Sequence, residues 1–218
     1  MAGCCDPHGY DEIFGARFAH RVARRYRRRG LDRTAGRLVD FLTAGGSRDL
    51  SGATVLEIGG GVGEIGIELL RRGAASVVEV ELSTSYDEDA RRLAQAAGVG
   101  DRVERRIVDV AAAPEAVEPA DLVVLHRVVC CYPDVARLLG AAADRCRDRL
   151  AFSHPPRNVV SRSLLGVQNA VCAVTRKEFR AYVHPPAEMR DVLRAHGLDP
   201  AMRHEGLVWH AEGAVRAA

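Results

Sequence analysis

At 218 residues, with 47% hydrophobic, 28% charged and only 5% aromatic side chains, the chain holds enough material for one compact domain and a modest extension. No apolar run approaches the roughly 18 residues of a membrane-spanning helix, and the start MAGCCDPHGYDEIFG lacks the basic and apolar regions of a secretory leader, so the expectation is a cytoplasmic protein with no membrane partner. A net charge of +2 does not argue for nucleic acid, and six cysteines without a C-x-x-C spacing predict reduced thiols rather than a disulfide framework.

The charge is uneven. Residues 1–50 hold ten Arg against six Asp or Glu, and Phe14, Phe18, Val22 and Tyr26 recur there at every fourth position. That spacing predicts a helix from about Ile13, broken at Gly30, then a second helix over 31–43 with Leu38, Val39 and Leu42 inward and the glycines at 45–47 ending it. The run RVARRYRRRG offers Tyr26 alone as a stacking platform, so its arginines read as solvated or as facing an anionic substrate, and nucleic acid is disfavoured. Residues 1–50 are thus expected to form a helical lid and residues 51–218 the main domain.

From residue 51 the pattern alternates between β and α, the mark of a parallel sheet covered by helices. Strands are predicted over 54–58, 76–80, 103–108, 121–125 and 149–153. Helices are predicted over 64–72, 87–97, 133–145, 163–174 and 186–196, and a terminal antiparallel pair over 202–215 turns near Gly206.

The strongest motif is VLEIGGGVGEIG, residues 55–66, between a predicted strand and a predicted helix. Gly59, Gly61 and Gly63 let the backbone turn sharply and approach a ligand, while the helix start presents free N–H groups, so a nucleoside-containing ligand is expected. Gly61, Gly63 and Gly66 also satisfy G-x-G-x-x-G, which keeps a nicotinamide-dependent oxidoreductase as an alternative. Glu57 argues against it, because a carboxylate there would repel a pyrophosphate and suits a cationic ligand better.

Glu57, Gly59, Gly61 and Gly63 form E-x-G-x-G-x-G, which resembles motif I of the class I S-adenosylmethionine-dependent methyltransferases. The resemblance continues through VVEVELS, VERRIVDV and DLVVLHRVVCCYPD, covering about residues 35–215. It implies a Rossmann-like α/β fold, a seven-stranded, mostly parallel sheet with helices on both faces and an N-terminal helical lid. It implies S-adenosyl-L-methionine as cofactor, with Glu81 on the ribose hydroxyls, Asp109 beside the adenine amine, and Leu82, Val110 and His126 completing the cofactor-binding set. Glu79 competes with Glu81 if the strand register differs by one side-chain pair.

HRVVCCYPD departs from the Asn/Asp-Pro-Pro-aromatic motif of nucleic-acid amino methyltransferases, so the acceptor is expected to be a small molecule methylated on oxygen or nitrogen. The pattern is similar to uncharacterised bacterial small-molecule methyltransferases and, diffusely, to the magnesium-protoporphyrin O-methyltransferase group. Methyl transfer rests largely on positioning, and a base is needed only for an acidic acceptor. His154, His126 and His184 are the candidate catalytic residues, His154 foremost on the acceptor side, with Arg157 and Arg180 as possible holders of an acidic substrate. Cys4–Cys5 and Cys130–Cys131 are vicinal pairs without metal-ligand spacing, so no metal is expected. A cofactor-binding protein without turnover is the non-enzymatic alternative. The oligomeric state is open.

Overall fold

The computed structural model describes residues 9–44 and 50–217. The expected helix break at 45–47 and the Cys4–Cys5 pair lie outside the described residues. The N-terminal segment forms α1 (Tyr10–Ile13), α2 (Ala16–Arg29) and α3 (Arg33–Thr43). The first helix is thus split, because Phe14 leaves helical geometry and Gly15 caps a new start. Gly30 ends α2 as expected, its N–H donating to the Tyr26 carbonyl at 2.8 Å.

The main domain runs β1 (Thr54–Ile58), α4 (Glu64–Arg71), β2 (Ser76–Glu81), α5 (Asp87–Ala96), β3 (Val103–Ile107), β4 (Ala120–Leu125), α6 (Val135–Asp144), β5 (Cys146–His154), α7 (Val159–Val174), α8 (Pro186–Ala195), β6 (Leu198–Glu205) and β7 (His210–Arg216). Three elements begin earlier than their apolar pattern suggests. β5 extends back through the polar Arg147 and Asp148, and α7 starts at Val159 because the Asn158 side chain caps it, accepting from Ser161 N at 2.8 Å. β6 likewise takes in Pro200, which an edge strand with a local register shift tolerates.

The seven strands order as β3-β2-β1-β4-β5-β7-β6, and only β7 runs antiparallel to its neighbours. This differs from the all-parallel 3-2-1-4-5-6 order of dinucleotide-binding folds, which removes the main structural support for the oxidoreductase alternative. One apolar core packs α6 and α8 against one face of the sheet; a second packs α2 to α5 against the other. Chain order reverses between β1 and β4, and a ligand crevice is expected outside their carboxyl ends.

Register also sets a row of charges beneath that crevice. Glu57 on β1 stands beside Glu79 on β2, which stands beside Arg105 on β3.

Candidate active site

A cavity open to solvent lies at this switch point. Its floor is the glycine turn after β1. Gly59 has φ +64°, and a Cβ there would overlap the Val128 side chain; Gly63 has φ +76°, and a Cβ there would overlap the Glu79 carboxylate. Glycine is therefore required at both by backbone geometry and by space.

Glu57 lines the base of the cavity but is held beneath the glycine turn. Its carboxylate is 3% exposed and turns under the loop, where Oε2 accepts from Gly66 N at 2.8 Å. Burial, and then the neighbouring Glu79, raise its pKa well above the usual carboxylate range. Glu79 is also buried, and its ion pair with Arg105 occupies it, so it is not the competing ribose ligand. Arg105 reaches Asp87 as well, at 3.3 Å. This row shapes the loop from below.

Glu81 ends β2 on the cavity wall. One of its oxygens accepts from Gly61 N at 2.9 Å and the other from Leu82 N at 2.8 Å, and burial raises its pKa. The oxygen bonded to Leu82 also accepts from Ser83 N at 3.4 Å, so the one bonded to Gly61 keeps the further lone pair for a ligand hydroxyl. Asp109, after β3, accepts from Ala111 N at 3.0 Å and from the Tyr132 hydroxyl at 3.0 Å. It thus serves as a turn residue and lines the cavity at once, between Val108 and Val110. Leu82 and Val110 also line the cavity.

The three candidate histidines separate. His126 lines the cavity. Its Nδ1 lies 3.0 Å from Ser153 Oγ and its Nε2 3.6 Å from Asp32 Oδ2, and burial lowers its pKa. His154, first choice for the acceptor side, is instead 2% exposed, with Nε2 3.4 Å from Glu212 and Nδ1 2.9 Å from the Pro155 carbonyl. β5 continues to residue 154 and β7 covers it, so its side chain belongs to the sheet interior. His184 bonds the Tyr132 carbonyl at 3.0 Å and is not among the cavity-lining residues. Arg157 and Arg180 do not line the cavity either; Arg180 donates to the carbonyls of Lys177 and Phe179.

Several residues at the site lie outside the candidates read from the sequence. Asp32 caps α3 through Oδ1, which accepts from Thr34 N at 2.8 Å and Ala35 N at 2.9 Å, while Oδ2 accepts from Arg127 at 2.7 Å. Burial alone would raise its pKa, but these bonds and the nearby His126 hold it well below the carboxylate range. Arg127 adopts φ +61°, an uncommon conformation for a residue with a side chain. Glu64, first residue of α4, lines the cavity, and burial pushes its carboxyl up to about 7. The capping pattern before Thr34 could have flagged Asp32; nothing local marks Glu64.

α1 and α2 close the cavity from the other side with Tyr10, Phe14, Phe18 and Val22. α1 is fastened at two strand ends: the Tyr10 hydroxyl donates to the Cys131 carbonyl at 2.9 Å beyond β4, and Ser83 and Ser85 beyond β2 both donate to Asp11. Tyr26, the last member of the stripe, is buried and donates to Glu68 of α4 at 2.7 Å. The arginines of α2 are exposed. Cys130 and Cys131 are free thiols with sulfurs 3.6 Å apart, and among the described residues no group of three or more His, Cys, Asp or Glu is placed to hold a metal.

The model of a methyltransferase domain family matches residues 55–149. No curated protein matches the chain by sequence. Among solved structures, magnesium protoporphyrin IX methyltransferase from Synechocystis, with bound S-adenosylhomocysteine, is 22% identical over 97% of this chain and 96% of its own, with a TM-score of 0.69. An O-methyltransferase family protein from Burkholderia thailandensis is 19% identical over 97% of this chain and 64% of its own, at 0.71. The cyclase SpnF, 13% identical over 84% of this chain and 80% of its own, reaches 0.63. Since a protein described as a cyclase shares the fold, the fold alone does not name the reaction. The domain match does more: residues 55–149, which contain the glycine turn, Glu81 and Asp109, are similar to a methyltransferase domain.

Proposed function

We propose that the chain transfers a methyl group to an oxygen or nitrogen atom of a small, largely apolar molecule held beneath a lid made of α1 and α2. The observation that carries this reading is the cavity's division into two walls. Glu81, Asp109 and the glycine turn supply polar groups at the strand ends, whereas Tyr10, Phe14, Phe18 and Val22 supply an apolar roof. The residues fit the cofactor. Glu81 keeps a lone pair on Oε2 for a ribose hydroxyl, Asp109 stands where an exocyclic amine can donate, and the turn lacks the Cβ atoms that would block close approach.

When bound, S-adenosylmethionine supplies a methyl group on an electron-poor sulfonium. The chain's own part is to exclude water and to align the acceptor. The lid, fastened through Tyr10 to the β4 side and through Asp11 to the β2 side, spans the crevice and restricts entry. Of the three candidate histidines, His126 is the one beside the acceptor space, and its lowered pKa keeps the imidazole neutral at pH 7. Ser153 Oγ, which accepts from Arg127 N at 2.9 Å, can also accept from His126 Nδ1–H, which holds the ring and leaves Nε2 to take a proton beside Asp32. His126 is the proton acceptor in this reading, for an acceptor acidic enough to need one.

The cofactor is tested by isothermal titration with S-adenosylhomocysteine, S-adenosylmethionine and NADH. The acceptor is tested by label transfer from methyl-labelled S-adenosylmethionine to panels of phenols, carboxylic acids and amines. Heat from NADH and none from S-adenosylhomocysteine would refute the reading. Transfer confined to nucleic acid would move the acceptor to another class.

A further inference from the structure

Outside the cavity, the large apolar side chains that remain most exposed gather in two neighbouring places. The first is α7, where Val159, Val160, Leu164, Val167, Val171 and Val174 are 56–84% exposed. The second is the turn between β6 and β7, where Leu207 is 98% exposed and Val208 68%. The valines and leucine from 160 onward follow one another at intervals of four, three, four and three residues. At 100° per residue they fall within an arc of about 80° on one side of the helix.

The rotation of α7 is pinned, so this stripe cannot turn inward. Its opposite side carries Cys172, buried in a cluster with Tyr10, Phe179 and Ala181. Asn169, on that side too, exchanges two hydrogen bonds of 2.8 Å with the backbone of Ala181. The stripe therefore faces away from the protein by construction.

The two patches also share an edge of the sheet. α7 starts five residues after β5 ends at His154, and His154 pairs with His210, the first residue of β7, directly after the turn. Arg127, which lines the cavity, stacks on Trp209 of that turn at 5.0 Å. The start of α7, the turn and the cavity all lie at the carboxyl edge.

Charge selects the partner. Residues 155–177 contain Arg157, Arg162, Arg176 and Lys177 and no Asp or Glu. A second copy of this chain would set these four cations against four more, with only the exposed Glu178 just beyond them and Glu205 beside the turn as neighbouring acids. An anionic lipid surface offers acyl chains for the stripe and headgroups for the cations.

We propose that α7, together with Leu207 and Val208, rests on an anionic lipid–water interface with the helix lying in its plane. No described helix is long and apolar enough to cross a membrane, and an in-plane helix needs only the stripe and its cationic flanks. The sequence, read for spans, leaves a membrane out; the exposed face brings its surface back in. This inference is independent of which acceptor is methylated.

The test is flotation of the full chain with vesicles of phosphatidylcholine alone and of phosphatidylcholine mixed with phosphatidylglycerol. Binding is expected to the mixed vesicles, about tenfold or more stronger than to the neutral ones, and to weaken as salt rises. The double variant Leu164→Asp/Val167→Asp, at exposed positions, should lose this binding while its titration with S-adenosylhomocysteine is unchanged. Leu207→Asp should weaken binding without touching α7. Absence of binding by the native chain, or undiminished binding by the double variant, overturns the proposal. So does a native dimer that the double variant converts to monomer, since the stripe would then be an interface between copies.

Discussion

Replacing Glu64 by Gln should stabilise the protein at pH 8 and leave it nearly unchanged at pH 5. Burial pushes this carboxyl from its ordinary 4.5 up to about 7, with Asp32 adding to the shift and Arg127 opposing it. One pK unit corresponds to about 1.4 kcal/mol, so ionising Glu64 costs up to about 3 kcal/mol more in the folded chain than in the unfolded one. The sign follows from proton counting. Between pH 4.5 and about 7 the folded chain holds this proton and the unfolded chain has lost it, so stability falls as pH rises through that window. Above it the full penalty stands. Glutamine keeps the shape without the charge but leaves an amide to be satisfied, which reduces the expected gain at pH 8 to about 1–2 kcal/mol. Urea denaturation of both proteins at pH 5, 6, 7 and 8 gives the difference directly. Glu57, Glu79 and Glu81, also raised, titrate in both proteins and largely cancel in that difference. A gain equal at pH 5 and pH 8, or a loss at pH 8, refutes the burial argument. The same residue should act on binding: ionised Glu64 favours a sulfonium, so affinity for S-adenosylmethionine should rise from pH 6 to pH 8 in the native protein and stay flatter in the variant.

Glu81→Ala should weaken S-adenosylhomocysteine binding by about 1.5–3 kcal/mol in calorimetry, the scale of hydrogen bonds to a charged group, and unchanged affinity would remove it from the ribose. Gly59→Ala combines a left-handed backbone with overlap on Val128, so thermal melting should show a loss of about 1–3 kcal/mol together with reduced cofactor affinity; a neutral outcome would mean that the turn is laxer than its geometry. His126→Ala and His154→Ala should part company. The first lowers turnover on an acidic acceptor with little change in melting, whereas the second removes a buried partner of Glu212, lowers stability and leaves turnover per folded molecule intact. Phe14→Ala with Phe18→Ala should raise KM for the acceptor far more than it alters cofactor affinity, and an unchanged KM would refute the lid.

Much of this protein is local physics and could be read from one dimension. Strand and helix periods set the order of elements, glycines between a strand and a helix set the turn, and acids at strand ends fall at the carboxyl edge because topology puts all parallel strand ends there. That Glu81, Asp109 and His126 come to one crevice was reachable in that way. What was not legible shares one cause, that the partner of a side chain is fixed by register and packing over long sequence separation. Glu57 lines the cavity, yet its partners, Glu79 beside it and Gly66 N above it, were set by the alignment of β1 with β2 and by the fold of the loop. His154 looked like a loop residue until Glu212, 58 positions away, was brought to it by β7. Glu64 gained its pKa from walls contributed by separate elements, and Asp32 gained Arg127 from 95 residues away. The stripe on α7 was present in the spacing of its valines. That it faces outward was decided by Asn169 and Cys172, which dock the other side, because a period fixes how wide an apolar face is and only packing fixes where it points.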